Sequence, residues 1–155
     1  MTDTPQRQFF SDPFLITGGL AIIVGGLVAA AVAHQPTQHL VWMAAYLVLI
    51  VGVAQMVFGG GQAWLSADTL RPAWRASEWI IYNLGNAGVI AGTLADLPSL
   101  VVVGTVLFII GVALFLVHTR ARTHIRWLIG YRILLGLVFL TSLVGLVLTF
   151  VGQLR

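Results

Sequence analysis

Residues 98–117 read PSLVVVGTVLFIIGVALFLV, twenty positions without one charged side chain. A helix rises about 1.5 Å per residue, so about 17–25 apolar residues cross the hydrocarbon of a bilayer. Working outward, four more runs have this character: Phe14–Ala33, His39–Gly61, Trp79–Ala95 and Trp127–Val151. Lipid offers the backbone no hydrogen-bond partners, so such runs are expected to be helices. The alternation of polar and apolar residues that a membrane β-barrel needs is missing. The expected fold is an all-α integral membrane protein, a single domain over residues 1–155 built as a bundle of five transmembrane helices.

The composition supports this. The residues AVILMFWYC make up 59% of the 155-residue chain and charged residues 8%, and the mean hydropathy is +0.97. A soluble domain carries about 25% charged residues. Soluble enzymes, nucleic-acid modules and disordered chains are excluded. Cysteine is absent, which removes disulfides, thiolate nucleophiles and Cys-held metal clusters. All eight basic residues are arginine. Abundant Ala, Leu, Val, Gly and Arg without Lys points to a GC-rich bacterial genome, hence to the bacterial inner membrane.

The arginines set the expected orientation. Arg7, Arg71, Arg75, Arg120, Arg122 and Arg126 fall on one side of a five-span chain and only Arg155 on the other. The positive-inside rule puts the N-terminus in the cytoplasm and the C-terminus outside. Ala31-Val32-Ala33 resembles a signal-peptidase site, but the run before it is longer than a usual signal core and reads better as a span. Residues 62–78 form the one long connection. With Trp64, Leu65, Leu70 and Trp74 beside Asp68, Arg71 and Arg75, it reads as a cytoplasmic interfacial linker broken at Pro72.

Glycine is the strongest pattern. Gly18/Gly25, Gly19/Gly26, Gly52/Gly59, Gly85/Gly92, Gly104/Gly111 and Gly145/Gly152 are each seven residues apart, and Gly88/Gly92 adds a small-xxx-small pair. Seven residues is two helical turns, so each pair marks one smooth stripe on which another helix can pack closely. Gly104/Gly111 is the stripe expected to face a second chain, because its helix is otherwise plainly apolar.

Two polar groups are candidates for chemistry. The first is a cluster expected in one half of the membrane: Gln55 and Gln62 on the second run, Glu78, Tyr82, Asn83 and Asn86 at the start of the third, and Arg132 in the fifth. An intramembrane arginine costs roughly 2.5–3.5 kcal/mol on insertion scales and usually faces the protein interior. Arg132 is therefore expected to bond Glu78, Asn83 or Gln62. Such a cluster can glue helices together, or receive a haem propionate, a quinone, a lipid head group or a small anion. The second group is four histidines, His34 and His39 at one surface and His118 and His124 at the other, which are candidate metal or haem ligands. No histidine pair lies at the midplane, so a centrally buried haem is not supported.

These features suggest a non-catalytic subunit or assembly partner in a larger membrane complex, with lipid, a second copy or other membrane subunits as partners and no nucleic acid. The alternative is a redox protein holding haem or quinone. A small transporter ranks third, because the first and fourth runs carry no polar midplane residue beyond Thr105. No nucleophile–base pair suggests catalysis by this chain alone.

Overall fold

The computed structural model of the chain describes residues 12–65, 71–119 and 125–153. They are all-helical, with no strand among them. The helices are α1 (Pro13–Val32), α2 (Gln38–Leu65), α3 (Pro72–Leu94), α4 (Pro98–His118) and α5 (Ile125–Gln153). Four of them, α1, α2, α4 and α5, are long and apolar enough to cross a membrane, which makes this a multi-pass membrane protein. The fifth, α3, is long enough at 23 residues, but Arg75, Glu78, Asn83 and Asn86 dilute its apolar character.

Local signals set the helix ends. Asp12 caps α1, its carboxylate accepting from the Phe14 N–H at 2.9 Å, and Pro13 occupies the first turn. Thr37 caps α2. Proline was expected to break the connection at residue 72; instead Pro72 opens α3, seven residues before the expected start at Trp79. The first turn of a helix has no internal partner for its N–H groups, so proline costs nothing there and presets φ. Between α3 and α4 the chain turns in three residues. The Leu97 N–H bonds the Gly92 carbonyl at 2.8 Å, and Asp96 sits in the left-handed region at φ 50°. This is a Schellman closure, with a short polar residue taking the position glycine usually fills.

The described residues fall into two compact units, divided after Trp64. In the first, α1 packs on α2. Phe14, Gly18, Ala21 and Gly25 are the buried face of α1. A Cβ added at Gly18 would come 2.5 Å from Met56, and one at Gly52 2.5 Å from Ile22. Gly59 lies against the Phe14 ring. Helix α2 is not regular throughout: Leu47–Ala54 forms a wider, π-type turn. In an α-helix, positions eight apart diverge by about 80° at 3.6 residues per turn. Ala44 and Gly52 are eight apart and both buried. The wide turn absorbs the extra residue and keeps both on one face.

In the second unit, α3 and α4 form a close antiparallel hairpin. The buried face of α3 is Glu78, Tyr82, Gly85, Asn86, Val89 and Gly92, and that of α4 is Gly104, Phe108, Gly111, Val112 and Phe115. An added Cβ would lie 2.5 Å from the Phe108 backbone nitrogen at Gly85, 2.5 Å from that of Val89 at Gly104, and 2.6 Å from that of Val101 at Gly92. The register is constant: seven residues forward on α3 is seven back on α4. Gly104 and Gly111 thus face α3 of the same chain rather than a second chain. Helix α5 meets α4 through its first part, where Leu128, Tyr131 and Leu135 are buried.

The other glycines differ. A Cβ at Gly19, Gly26, Gly130, Gly136 or Gly145 would meet nothing within 4 Å. This separates two classes of substitution. Gly104→Ala or Gly85→Ala forces backbones apart and is expected to destabilise the fold by about 1–3 kcal/mol, the usual cost of overpacking. Gly26→Ala is expected to be neutral or to stabilise by up to about 0.5–1 kcal/mol, since alanine is the better helix former. Thermal unfolding in detergent, followed by circular dichroism, checks both. Equal effects at Gly104 and Gly26 would contradict the packing described.

Candidate functional site

Three polar groupings sit among these helices. The first lies between α1 and α2. Gln55, wholly buried, follows directly on the wide turn, and its Nε2 donates to the Thr17 hydroxyl. Thr17 in turn donates to the Pro13 carbonyl at 2.6 Å. Thr17 was not singled out in the sequence, because a threonine that bonds its own helix looks like any other membrane threonine. Gln62, two turns further on the same face of α2, is also wholly buried.

The second centre is the polar stripe of α3. Asn83 Nδ2 donates to the Trp79 carbonyl at 2.8 Å, and Asn86 Nδ2 to the Tyr82 carbonyl at 2.9 Å. Both bonds run back one turn within the same helix. Tyr82 is buried between Phe108 and Phe115 of α4, with ring centroids 5.3 Å and 6.2 Å away.

The third centre joins α3, α4 and α5 where α4 ends. Glu78 is wholly buried, and its Oε1 lies 2.6 Å from His118 Nδ1. The His118 ring rests against Trp74 at 5.1 Å between centroids. The next residue, Thr119, is buried and donates to the Phe115 carbonyl at 2.7 Å. Tyr131 of α5 hydrogen-bonds the Thr119 side chain and lies within electrostatic reach of Glu78 and Arg75. Arg132 donates from Nη2 to the Thr119 carbonyl at 3.1 Å. The arginine does not take Glu78 or Asn83 as its partner. Its residue is exposed, and it places positive charge at the C-terminal end of α4, where the helix dipole favours a cation. Glu78 does meet His118, forty positions away. Both were candidates in the sequence, but in separate groups.

His34 and His39 are exposed at the connection between α1 and α2. Beside them is a groove of about 430 Å³ with almost wholly apolar walls, among them Ala33, Pro36 and Val48. It offers no polar wall to orient a quinone ring or a haem propionate. Among the described residues no three His, Cys, Asp or Glu side chains gather as a metal site. His124, Leu70 and Asp68 lie outside the described residues, and Gly152 falls in the last turn of α5, beyond the residues whose packing is described.

No protein-family model, curated protein or solved structure matches the chain.

The third centre makes a quantitative prediction. Removing the hydrogen-bond partner of a buried carboxylate leaves its desolvation uncompensated, at a cost of about 1–3 kcal/mol. His118→Leu is expected to destabilise in that range, and Glu78→Gln with His118→Leu to recover part of the loss. Arg132→Met is expected to cost only about 0.5–1.5 kcal/mol, the worth of one hydrogen bond. A double-mutant cycle by thermal unfolding in detergent measures the coupling; additive effects of the Glu78 and His118 changes would refute the pairing.

Proposed function

We propose that the chain is a small multi-pass subunit or assembly partner that works within a larger complex of the bacterial inner membrane. On this reading all five helices span. The N-terminus and the arginine-bearing connections lie in the cytoplasm, and the C-terminus lies outside. The asymmetry of the arginines supports the orientation. The close hairpin supports five spans rather than four, since α3 hides its polar face against α4 and presents Ile80 and Leu84 outward.

The observation that carries the association reading is the state of α5. It runs for 29 residues, yet the buried positions named on it all lie in its first half, at Leu128, Tyr131 and Leu135. Beyond them Leu137, Leu140, Leu143, Val144 and Val147 are exposed. Within this stretch Thr141 and Ser142 satisfy their hydroxyls on their own helix, and Gly145 leaves open space where a Cβ would stand. Small residues on an apolar helix face are how membrane helices approach one another without a hydrophobic drive. The partner on this reading is another transmembrane helix, from a second copy of the chain or a different subunit.

Two measurements test this. Reporter fusions at residues 36 and 122 are expected to read outside and inside respectively; the reverse at either position sinks the topology. Gly145→Leu is expected to weaken assembly on native gels and in cross-linking by tenfold or more, about 1.4 kcal/mol, with helix content unchanged. Assembly as strong as in the unaltered chain would remove α5 as the docking helix.

A further inference from the structure

Glu78 is the chain's one glutamate. The α3–α4 hairpin does not need it as glue. Backbone contact at Gly85, Gly92 and Gly104 holds the two helices, and the asparagines of α3 bond within their own helix. A wholly buried carboxylate is nonetheless kept there, and burial of a charge is costly unless it is paired or neutralised. Its neighbour is an imidazole joined through Nδ1. The ring is 19% exposed, and its Nε2 has no hydrogen-bond partner among the described residues. One face of the pair is therefore closed in protein and the other is open.

We propose that Glu78 and His118 form an exchangeable proton-binding site, filled from water through His118 Nε2. In the empty state the carboxylate is ionised and accepts from Nδ1–H of a neutral imidazole, so the pair carries one negative charge. Hydronium delivers a proton to Nε2 and leaves as water. The Nδ1–H bond then breaks as an O–H bond forms at Glu78 Oε1. The ring ends neutral with its hydrogen on Nε2, the carboxyl is protonated, and the pair is uncharged. Release reverses each step. The imidazole conducts because its two nitrogens exchange roles. Glu and His chains serve proton movement in membrane proteins for this reason.

Charged and titratable groups approach the pair from two helices. On α3 Arg75 lies near the site, and on α5 Tyr131 and Arg132 converge on Thr119, the residue next to His118. The ring of Trp74 shields one side of the imidazole. The site holds whether or not the chain associates with a partner, so its failure would leave the association reading standing.

Because the chain has one glutamate, a label on that residue reports Glu78 alone. The full chain, carrying glutamate labelled with carbon-13 at the side-chain carboxyl, is placed in lipid vesicles and followed by infrared spectroscopy as pH is changed. The expected result is a reversible exchange between the labelled carboxylate and carboxylic-acid bands. The acid band should shift on transfer to heavy water. In protein labelled with nitrogen-15 histidine, one imidazole should move its hydrogen between nitrogens in step with that exchange. In His118→Asn the pH dependence of the labelled band should shift, because the delivering group is gone. A labelled carboxyl that keeps one state at every pH at which the helices persist overturns the proposal. So does a band that titrates with no histidine following it.

Discussion

The contact between α3 and α4 at Gly85 and Gly104 is what the rest of the second unit depends on. In water two apolar helices associate because doing so removes surface from solvent. In lipid that drive disappears, since the alternative neighbour is equally apolar. What remains is dispersion, which decays within an ångström of contact, and whatever polar bonds proximity permits. Glycine brings the backbones together, and this distance lets Tyr82 lie between Phe108 and Phe115 and lets Glu78 reach His118. One methyl group at Gly104, 2.5 Å from the Val89 nitrogen, would separate all of them together.

The polar side chains follow a related economy. Thr17, Asn83, Asn86, Thr105, Thr119, Thr141 and Ser142 all donate back one turn to their own helix. Such groups can sit in an apolar phase without calling on a neighbour, and they leave the packing face to shape. Bonds between helices include Gln55 to Thr17, Glu78 to His118, and Arg132 to the end of α4. The last two gather at one end of the hairpin, where a helix terminus supplies carbonyls that have no partner of their own.

Much of the helical layout was legible in the sequence, because uninterrupted apolar runs have one stable form in lipid. The start of α3 was not, since proline reads as a breaker unless its place in the first turn is known. The glycine stripes were visible, but not which of them faces a neighbour: Gly18/Gly25 and Gly19/Gly26 have the same spacing, and only the rotation of α1 against α2 buries the first and exposes the second. The same limit hid the pairing at Glu78. Depth along the membrane matched Arg132 to several acceptors, but depth says nothing of azimuth. The signal that could have found His118 was the hairpin register. Had Gly85 and Gly92 been laid against Phe108 and Val101 across a three-residue turn, the end of α4 would have fallen beside Glu78.

That three-residue turn bears on how the protein enters its membrane. Taken alone, α3 is the least apolar of the five helices, and a helix with a glutamate and two asparagines has little reason to leave water. The segment after it, α4, is uninterruptedly apolar, and the Schellman closure at Asp96 leaves no slack between them. On the five-span reading proposed above, insertion of α4 would draw α3 with it, the polar stripe already folded against its partner. Biogenesis of this half of the chain would then be the partitioning of a preformed helical hairpin rather than of two helices in turn. A lengthened loop at Asp96 would matter most during synthesis, before the finished protein exists to be measured.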